Sequence, residues 1–373
     1  MSAEPLSENP DFLTKDIITY IGNKRSLLGY IGEELDEIRG QLGKEKLVTA
    51  DLFSGSGIVS RYLKKYSQVL YANDLENYSR VLNSCYLTNE SSFDKNLYSK
   101  IKKEIEDQVS QNKIEGLFSK EYAPKNTEAV EKGERCFYTR ENALLLDSYR
   151  FYIEELASPY HMEDYFLAPL LTQASVHTNT SGVFKGFYKD KDGKGAFGGQ
   201  GTNALSRIMG TVTLPEPVFS NFDSEVHIFQ KDAALLAGEL KNLDAVYLDP
   251  PYNQHPYGSN YFMLNLILEN KLPQNTKISR ISGIPSNWNR SNFNVRKLAL
   301  DSLEEIIFRL NTHFIIISYN SEGFISFDQM KEMLNKYGNL KTVEIAYNTF
   351  RGSRNLKQRN IHVSEYLFVL EKK

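Results

Sequence analysis

Cysteine is nearly absent from the 373-residue chain. Cys85 and Cys136 lie far apart with no Cys-x-x-Cys pair, which excludes a disulfide framework and gives no structural zinc site. The six histidines, His161, His177, His227, His255, His313 and His362, show no ligand spacing either, so no metal is expected. Long hydrophobic runs are missing, and none approaches the length of a membrane span. The stretch Met1 to Lys15 has no arginine and does not resemble a signal or transit peptide. A soluble protein of the reducing cytoplasm is therefore expected.

Charge of one sign is scarce as well. A net charge of −3 argues against a protein that coats nucleic acid indiscriminately, because phosphate binding needs a concentrated positive surface. Local concentrations do exist. Between Lys341 and Lys373 there are seven basic residues against three acids, and between Lys185 and Gly210 five against two. With 41% hydrophobic and 24% charged residues, the chain has the means to bury a core, and disorder is not the expectation.

The order of the segments points to an α/β fold. Leu27, Leu28, Ile31, Leu35 and Ile38 recur at helical spacing. A short strand from Lys46 to Phe53 then runs into Ser54-Gly55-Ser56-Gly57 and a helical stretch, Ile58 to Tyr66. A second strand, Gln68 to Ala72, stops at Asn73-Asp74. This strand-loop-helix-strand order opens a doubly wound sheet. The rhythm is interrupted between about Ser91 and Phe219 by charged helical segments and a stretch rich in Gly, Thr and Asn. It resumes with strands at Glu225 to Gln230, Asp244 to Leu248 and Thr312 to Ser318. Leu340 to Phe350 and Val363 to Leu370 read as a terminal β-hairpin around the basic segment. Three spans follow: 1–90 and 221–373 as the two parts of one catalytic domain, and 91–220 as an insertion.

The segment Asp51 to Gly57 sits at a strand's carboxyl end, where doubly wound sheets bind ligands. A dinucleotide fold prefers glycine or alanine three residues beyond Gly57, where this chain has Ser60. The Gly-Lys-Ser/Thr ending of a phosphate loop is also missing. An acid at Asp51 suits the positively charged amino group of S-adenosylmethionine better than a pyrophosphate. Asp74 is then placed to accept hydrogen bonds from ribose hydroxyls.

Asp249-Pro250-Pro251-Tyr252 directly follows the apolar strand Val246-Tyr247-Leu248. Adenine N6 is a poor nucleophile, because its lone pair is delocalised into the ring. Asp249 can accept one N6 hydrogen and the Pro250 carbonyl the other, and the consecutive prolines hold that carbonyl in a fixed direction. Tyr252 offers an aromatic face to a base that has left the duplex stack.

With these residues in place the chain resembles the Dam-type (alpha-group) adenine-N6 DNA methyltransferases, similar to methylases of restriction-modification systems. The resemblance runs nearly end to end. It implies a Rossmann-like, S-adenosylmethionine-dependent methyltransferase sheet with an inserted, mainly helical target-recognition lobe. It implies that Tyr20, Gly22, Asn23 and Lys24 border the cofactor, and that Asp51, Phe53, Ser54, Gly55 and Gly57 form the cofactor loop, with Asp74 as the ribose acid. Asp232 and Ala233 are similar to the pair near the cofactor's adenine, although Asp232 is equally suited to capping a helix. His177, Asn179, Lys185 and Tyr188 resemble a DNA-probing loop. Arg351, Arg354 and Asn355 resemble a hairpin near the DNA backbone, where arginines position phosphates. Asn260 and Tyr261 either border the flipped base or start a helix.

The expected activity is methylation of a flipped adenine in double-stranded DNA at a specific site by a monomer, with any restriction endonuclease on another chain. Three alternatives stay open from the residues alone: an RNA adenine-N6 enzyme, a DNA cytosine-N4 enzyme, and an NAD-dependent oxidoreductase.

Overall fold

The computed structural model describes residues 7–15, 17–199, 204–348 and 362–373, the side chains of 346–348 and 362–363 excepted. Seven strands form one sheet: β1 (Leu47–Asp51), β2 (Ser67–Asn73), β3 (Glu225–Phe229), β4 (Leu243–Leu248), β5 (Thr312–Asn320), β6 (Gly338–Asn348) and β7 (His362–Lys372). Their order is β3-β2-β1-β4-β5-β7-β6. The first five run parallel, and β7 is antiparallel to both β5 and β6. A reversed strand wedged between β5 and β6 departs from the sheet of a dinucleotide-binding fold, whose order is 3-2-1-4-5-6.

The central strands are apolar because both of their faces are covered; all six residues of β4 are buried. On one face lie α1 (Leu28–Leu42) and α2 (Ile58–Leu63), whose Ile31, Leu35 and Leu63 pack on Leu70, Tyr247 and Phe314.

The helical lobe follows β2. It contains α3 (Asn77–Tyr86), α4 (Lys95–Gln111), α5 (Leu117–Glu121), α6 (Arg140–Leu156), α7 (Glu163–Val176) and the short α8 (Leu205–Met209). Beyond it, α9 (Ala233–Glu239) returns to the sheet, and α10 (Tyr257–Asn260) and α11 (Phe262–Glu269) follow β4. The second face of the sheet is covered by α9, α12 (Arg296–Arg309) and α13 (Phe327–Asn335), through Leu236, Leu303, Ile307 and Leu334.

The lobe is wider than the 91–220 span expected from the sequence. Its core joins Tyr78, Leu82 and Tyr86 of α3 and Leu264, Ile267 and Leu268 of α11 to the inserted helices. Chain before and after the insertion thus completes its apolar interior, because α4 to α7 cannot close their own faces. No helix among the described residues is long and apolar enough to cross a membrane.

Candidate active site

Parallel register decides where the site lies. Asp51 pairs with Ala72 on β2 and with Tyr247 on β4, so the carboxyl ends of all three strands open on one edge of the sheet. The chain order diverges there, with β2 on one side of β1 and β4 on the other, which is where open α/β sheets leave a crevice. A cavity of about 210 Å³ occupies that position, and Asp51, Asp74 and Asp249 all line it.

Each acid is held by its own strand end. Asp51 Oδ2 accepts a hydrogen bond from Ser60 Oγ at 2.7 Å, and Oδ1 accepts one from the Phe53 amide at 3.3 Å. The serine that sets this chain apart from a dinucleotide fold therefore orients the first of the three acids. Asp74 accepts from the Gly55 amide at 2.8 Å with Oδ2 and from the Glu76 amide at 2.9 Å with Oδ1. It ties the glycine loop to the end of β2.

Gly55 has φ +52°, and a Cβ there would stand 2.9 Å from the Tyr20 ring. Gly57 has φ +79° as the residue preceding α2, but its missing Cβ makes room for Asn83 Oδ1. It shapes the turn and does not line the cavity.

Burial dominates the electrostatics. It pushes Asp51 up to about 7, with the Ser60 and Phe53 hydrogen bonds opposing it. Asp74 is pushed up to about 6 and Glu76 to about 7, also by burial first. Asp249 rises to about 6, because burial outweighs the Lys24 ammonium beside it. Acids whose charged forms suffer from desolvation around one cavity fit a cationic ligand, which would favour their ionised state. The far end is apolar: Phe53 meets Phe293 edge-on at 5.4 Å, with Ala233 and Ile306 nearby in the lining. Sulfonium and ammonium groups at the acids, ribose at Asp74 and a purine at the apolar end make S-adenosylmethionine compatible with these residues.

The structure brings together most of the sequence-predicted site. Tyr20, Gly22, Asn23, Lys24, Asp51, Phe53, Ser54, Gly55, Asp74, Asp232, Ala233, Asp249 and Pro251 all line the cavity. Asp232 does more than that, since its side chain caps α9 by accepting from the amides of Ala234 and Leu235 at 2.9 and 3.2 Å. Pro250 is buried next to Asp249 in the chain. Tyr252 lies beside the cavity, its ring edge-on to Tyr319 at 6.1 Å and its carbonyl accepting from the Phe324 amide. Tyr20 and Tyr257, whose rings stack at 5.0 Å with Tyr261 adjoining, present further aromatic surface at the cavity.

Lys24 is buried, not merely bordering. Its Nζ lies 3.1 Å from Asp249 Oδ1 and 3.2 Å from Glu365 Oε1, and donates to the Gly22 carbonyl at 3.1 Å. Burial alone would lower its pKa, but the two carboxylates hold it well above the ordinary lysine value.

The loop expected to probe DNA divides into two kinds of residue. Asn179 is fully buried; its amide donates to the carbonyls of Cys136 and Ala196 and accepts from the Gly198 amide. It fastens the loop from inside, so that placement corrects the expectation of a DNA-facing side chain. His177 is half-buried, with Nδ1 at 2.6 Å from the Arg207 carbonyl, and is likewise engaged by its own chain. Tyr188 is half-buried against Gly199. Lys185 alone of the four is exposed, and its Nζ reaches to 3.3 Å from His255 Nδ1, just past Tyr252. Arg351, Arg354 and Asn355 lie outside the described residues.

Several residues escaped the sequence reading. Glu76, Tyr257, Asn289, Asn292 and Asn294 line the cavity, and Glu365 holds Lys24. The signals were faint: an Asn- and Ser-rich stretch after α11, and an acid at a strand position whose neighbours at period two, Leu367 and Val369, are buried.

Residues 20–333 match the family described as D12 class N6 adenine-specific DNA methyltransferase. The chain belongs to that family. It is 30% identical over 364 residues to the Type II methyltransferase M.NlaIII of Neisseria lactamica, covering 95% of this chain and 99% of the relative. The Type II methyltransferase M.CviAII of Paramecium bursaria Chlorella virus 1 is also 30% identical, over 94% of this chain and 97% of its own. Modification methylase StsI of Streptococcus sanguinis is 27% identical, over 95% of this chain but 52% of its own. This D12-class chain is a DNA adenine-N6 methyltransferase, and the oxidoreductase, RNA and cytosine-N4 alternatives give way to the family assignment.

Proposed function

We propose that the cavity at the ends of β1, β2 and β4 binds S-adenosylmethionine, and that Asp249 and the Pro250 carbonyl receive the N6 amino group of an adenine flipped out of duplex DNA. The observation that carries this reading is the convergence of Asp249 on the same cavity as Asp51 and Asp74. When bound, the cofactor supplies the methyl group.

The chain's residues do the rest. Asp51 faces the cofactor's cationic end, Asp74 its ribose hydroxyls, and Ala233 with Phe53 and Phe293 its adenine. Lys24 occupies Oδ1 of Asp249, which leaves Oδ2 for an N6 hydrogen. With the Pro250 carbonyl taking the other hydrogen, the nitrogen lone pair is drawn out of the ring and towards the methyl donor. A carboxylate that titrates near 6 also serves to take the proton that the methylated nitrogen sheds. Tyr257, stacked on Tyr20 at the cavity wall, supports the base face together with Tyr252.

The relatives are named Type II methyltransferases and a modification methylase, which supports site-specific modification, and any restriction endonuclease acting at the same site would be a separate chain. A monomer suffices, since the cavity is built within one chain. In the lobe, Lys185 is the side chain of the expected probing loop presented for DNA, and Arg351 and Arg354 are assigned to phosphates.

Calorimetry with S-adenosylhomocysteine tests the cavity. Wild type should bind it and Asp74→Ala should bind it at least several-fold more weakly, whereas preference for NAD or indifference to Asp74 would reject the assignment. Methylation-sensitive long-read sequencing of DNA from expressing cells would return the modified base and the target site together.

A further inference from the structure

We infer that Glu365 is a positioning residue for methyl transfer: by anchoring Lys24 it directs the ammonium to one oxygen of Asp249 and leaves the other for the adenine amino group. This rests on the role given above to Asp249. Glu365 sits on β7 and is only 5% exposed. Its carboxylate is fixed from the neighbouring strand, with Oε1 accepting from Ser318 Oγ at 3.0 Å and Oε2 from Asn320 Nδ2 at 3.1 Å. Asn320 and Glu365 are direct partners in the β5–β7 register, so the strand pairing itself aims the acid at Lys24.

The ammonium is thereby held from three sides. Its Nζ lies 3.1 Å from Asp249 Oδ1 and 3.2 Å from Glu365 Oε1 as ion pairs, and donates a hydrogen bond to the Gly22 carbonyl at 3.1 Å. A lysine facing Asp249 alone could swing between both carboxylate oxygens and compete with the substrate for the acceptor. Sharing it with a second, immobile carboxylate prevents that and weakens the neutralisation of Asp249. Burying three charges contributes little to stability once desolvation is counted, whereas the arrangement specifies the ammonium's position.

The groups facing Asp249 are Lys24 from the N-terminal loop, Glu365 from β7, Asp51 from β1, Tyr247 on β4, and Tyr257 beyond the strand. Both tyrosines are kept neutral by burial. Glu365 and Lys24 are the opposed charges: the acid raises the Asp249 pKa and the lysine lowers it.

The test is the single-turnover methyl-transfer rate against pH, with cofactor and DNA saturating, for wild type, Glu365→Gln and Asp249→Asn. Glu365→Gln keeps the shape and removes the charge. Its acid limb should move to lower pH by about 1 unit. Its plateau rate should fall by on the order of tenfold, with cofactor affinity unchanged by calorimetry. An acid limb that stays in place, whatever the rate, overturns the inference and leaves Glu365 a structural residue. Should Glu365→Gln not fold, Asn320→Ala frees Oε2 while keeping the charge; a several-fold slower rate with an unmoved acid limb is then expected, and an unchanged rate overturns the inference. Activity surviving in Asp249→Asn would reject the underlying role of Asp249, an outcome distinct from either of these.

Discussion

Lys24 Nζ stands 3.1 Å from Asp249 Oδ1, joining the loop before the first helix to the end of the fourth strand. The pair has a direct consequence for pH dependence. Burial raises Asp249 to about 6 and Lys24 opposes that rise, so the ionised carboxylate prevails at neutral pH. Lys24→Met removes the opposing charge, and Asp249 then keeps its proton to higher pH. The acid limb of the single-turnover rate should move upward from about 6 by 1 unit or more. A limb that stays near 6 or moves down would show that Lys24 does not act on Asp249.

Asp51 links stability to binding. Its folded pKa of about 7 lies above that of an unfolded aspartate, about 4. The native state therefore retains a proton that the unfolded chain releases. The associated stability is fully present below pH 4 or so and is lost as the pH rises through about 7. Asp51→Asn should raise the melting temperature of the cofactor-free protein strongly at pH 8 and by clearly less at pH 5, where only the first part of that stability has been lost. The same variant should weaken S-adenosylmethionine binding at pH 8, where the wild-type carboxylate is charged. Equal melting shifts at both pH values would contradict the buried-acid reading.

The two loop glycines should separate binding from stability. Both have positive φ, which costs an alanine of the order of 1 kcal/mol or more. Gly55→Ala additionally drives its Cβ into the Tyr20 ring at the cavity wall, whereas Gly57→Ala meets Asn83 beneath the turn. Cofactor affinity by calorimetry should drop further for Gly55→Ala than for Gly57→Ala at comparable loss of melting temperature. Equal binding losses would place the two glycines in the same role.

Lys185 and Asn179 differ by burial. Lys185 is exposed, so Lys185→Ala should weaken DNA binding and reduce the slope of log affinity against log salt by about 1. Asn179→Ala leaves the Cys136 and Ala196 carbonyls and the Gly198 amide without their side-chain partner, a destabilisation of about 1–3 kcal/mol. Its thermal melt should show that cost, whereas the melt of Lys185→Ala should match wild type.

Much of this site was legible because the sequence announces it locally. Asp51, Asp74 and Asp249 each end a short apolar run, and the parallel sheet alone suffices to bring those ends to one edge. The seven strands follow from apolar segments too short for helices, and the reversed β7 from two such segments flanking the basic stretch. What stayed hidden depends on contacts between segments distant in the chain. That Lys24 reaches Asp249 and Glu365, that Ser60 serves Asp51, and that Asn179 is a brace follow only once the loops are packed. The width of the lobe was hidden for the same reason, since α3 and α11 look like ordinary amphipathic or apolar helices until they are seen closing its core.

The most direct test of Asp249 as the group that activates adenine N6 is transfer of labelled methyl from S-adenosylmethionine into duplex DNA by wild type and Asp249→Ala, with hydrolysis to nucleosides. Wild type should yield N6-methyladenine, and Asp249→Ala should yield none above background while still binding cofactor by calorimetry. Full methylation by Asp249→Ala, or N4-methylcytosine from wild type, would contradict it.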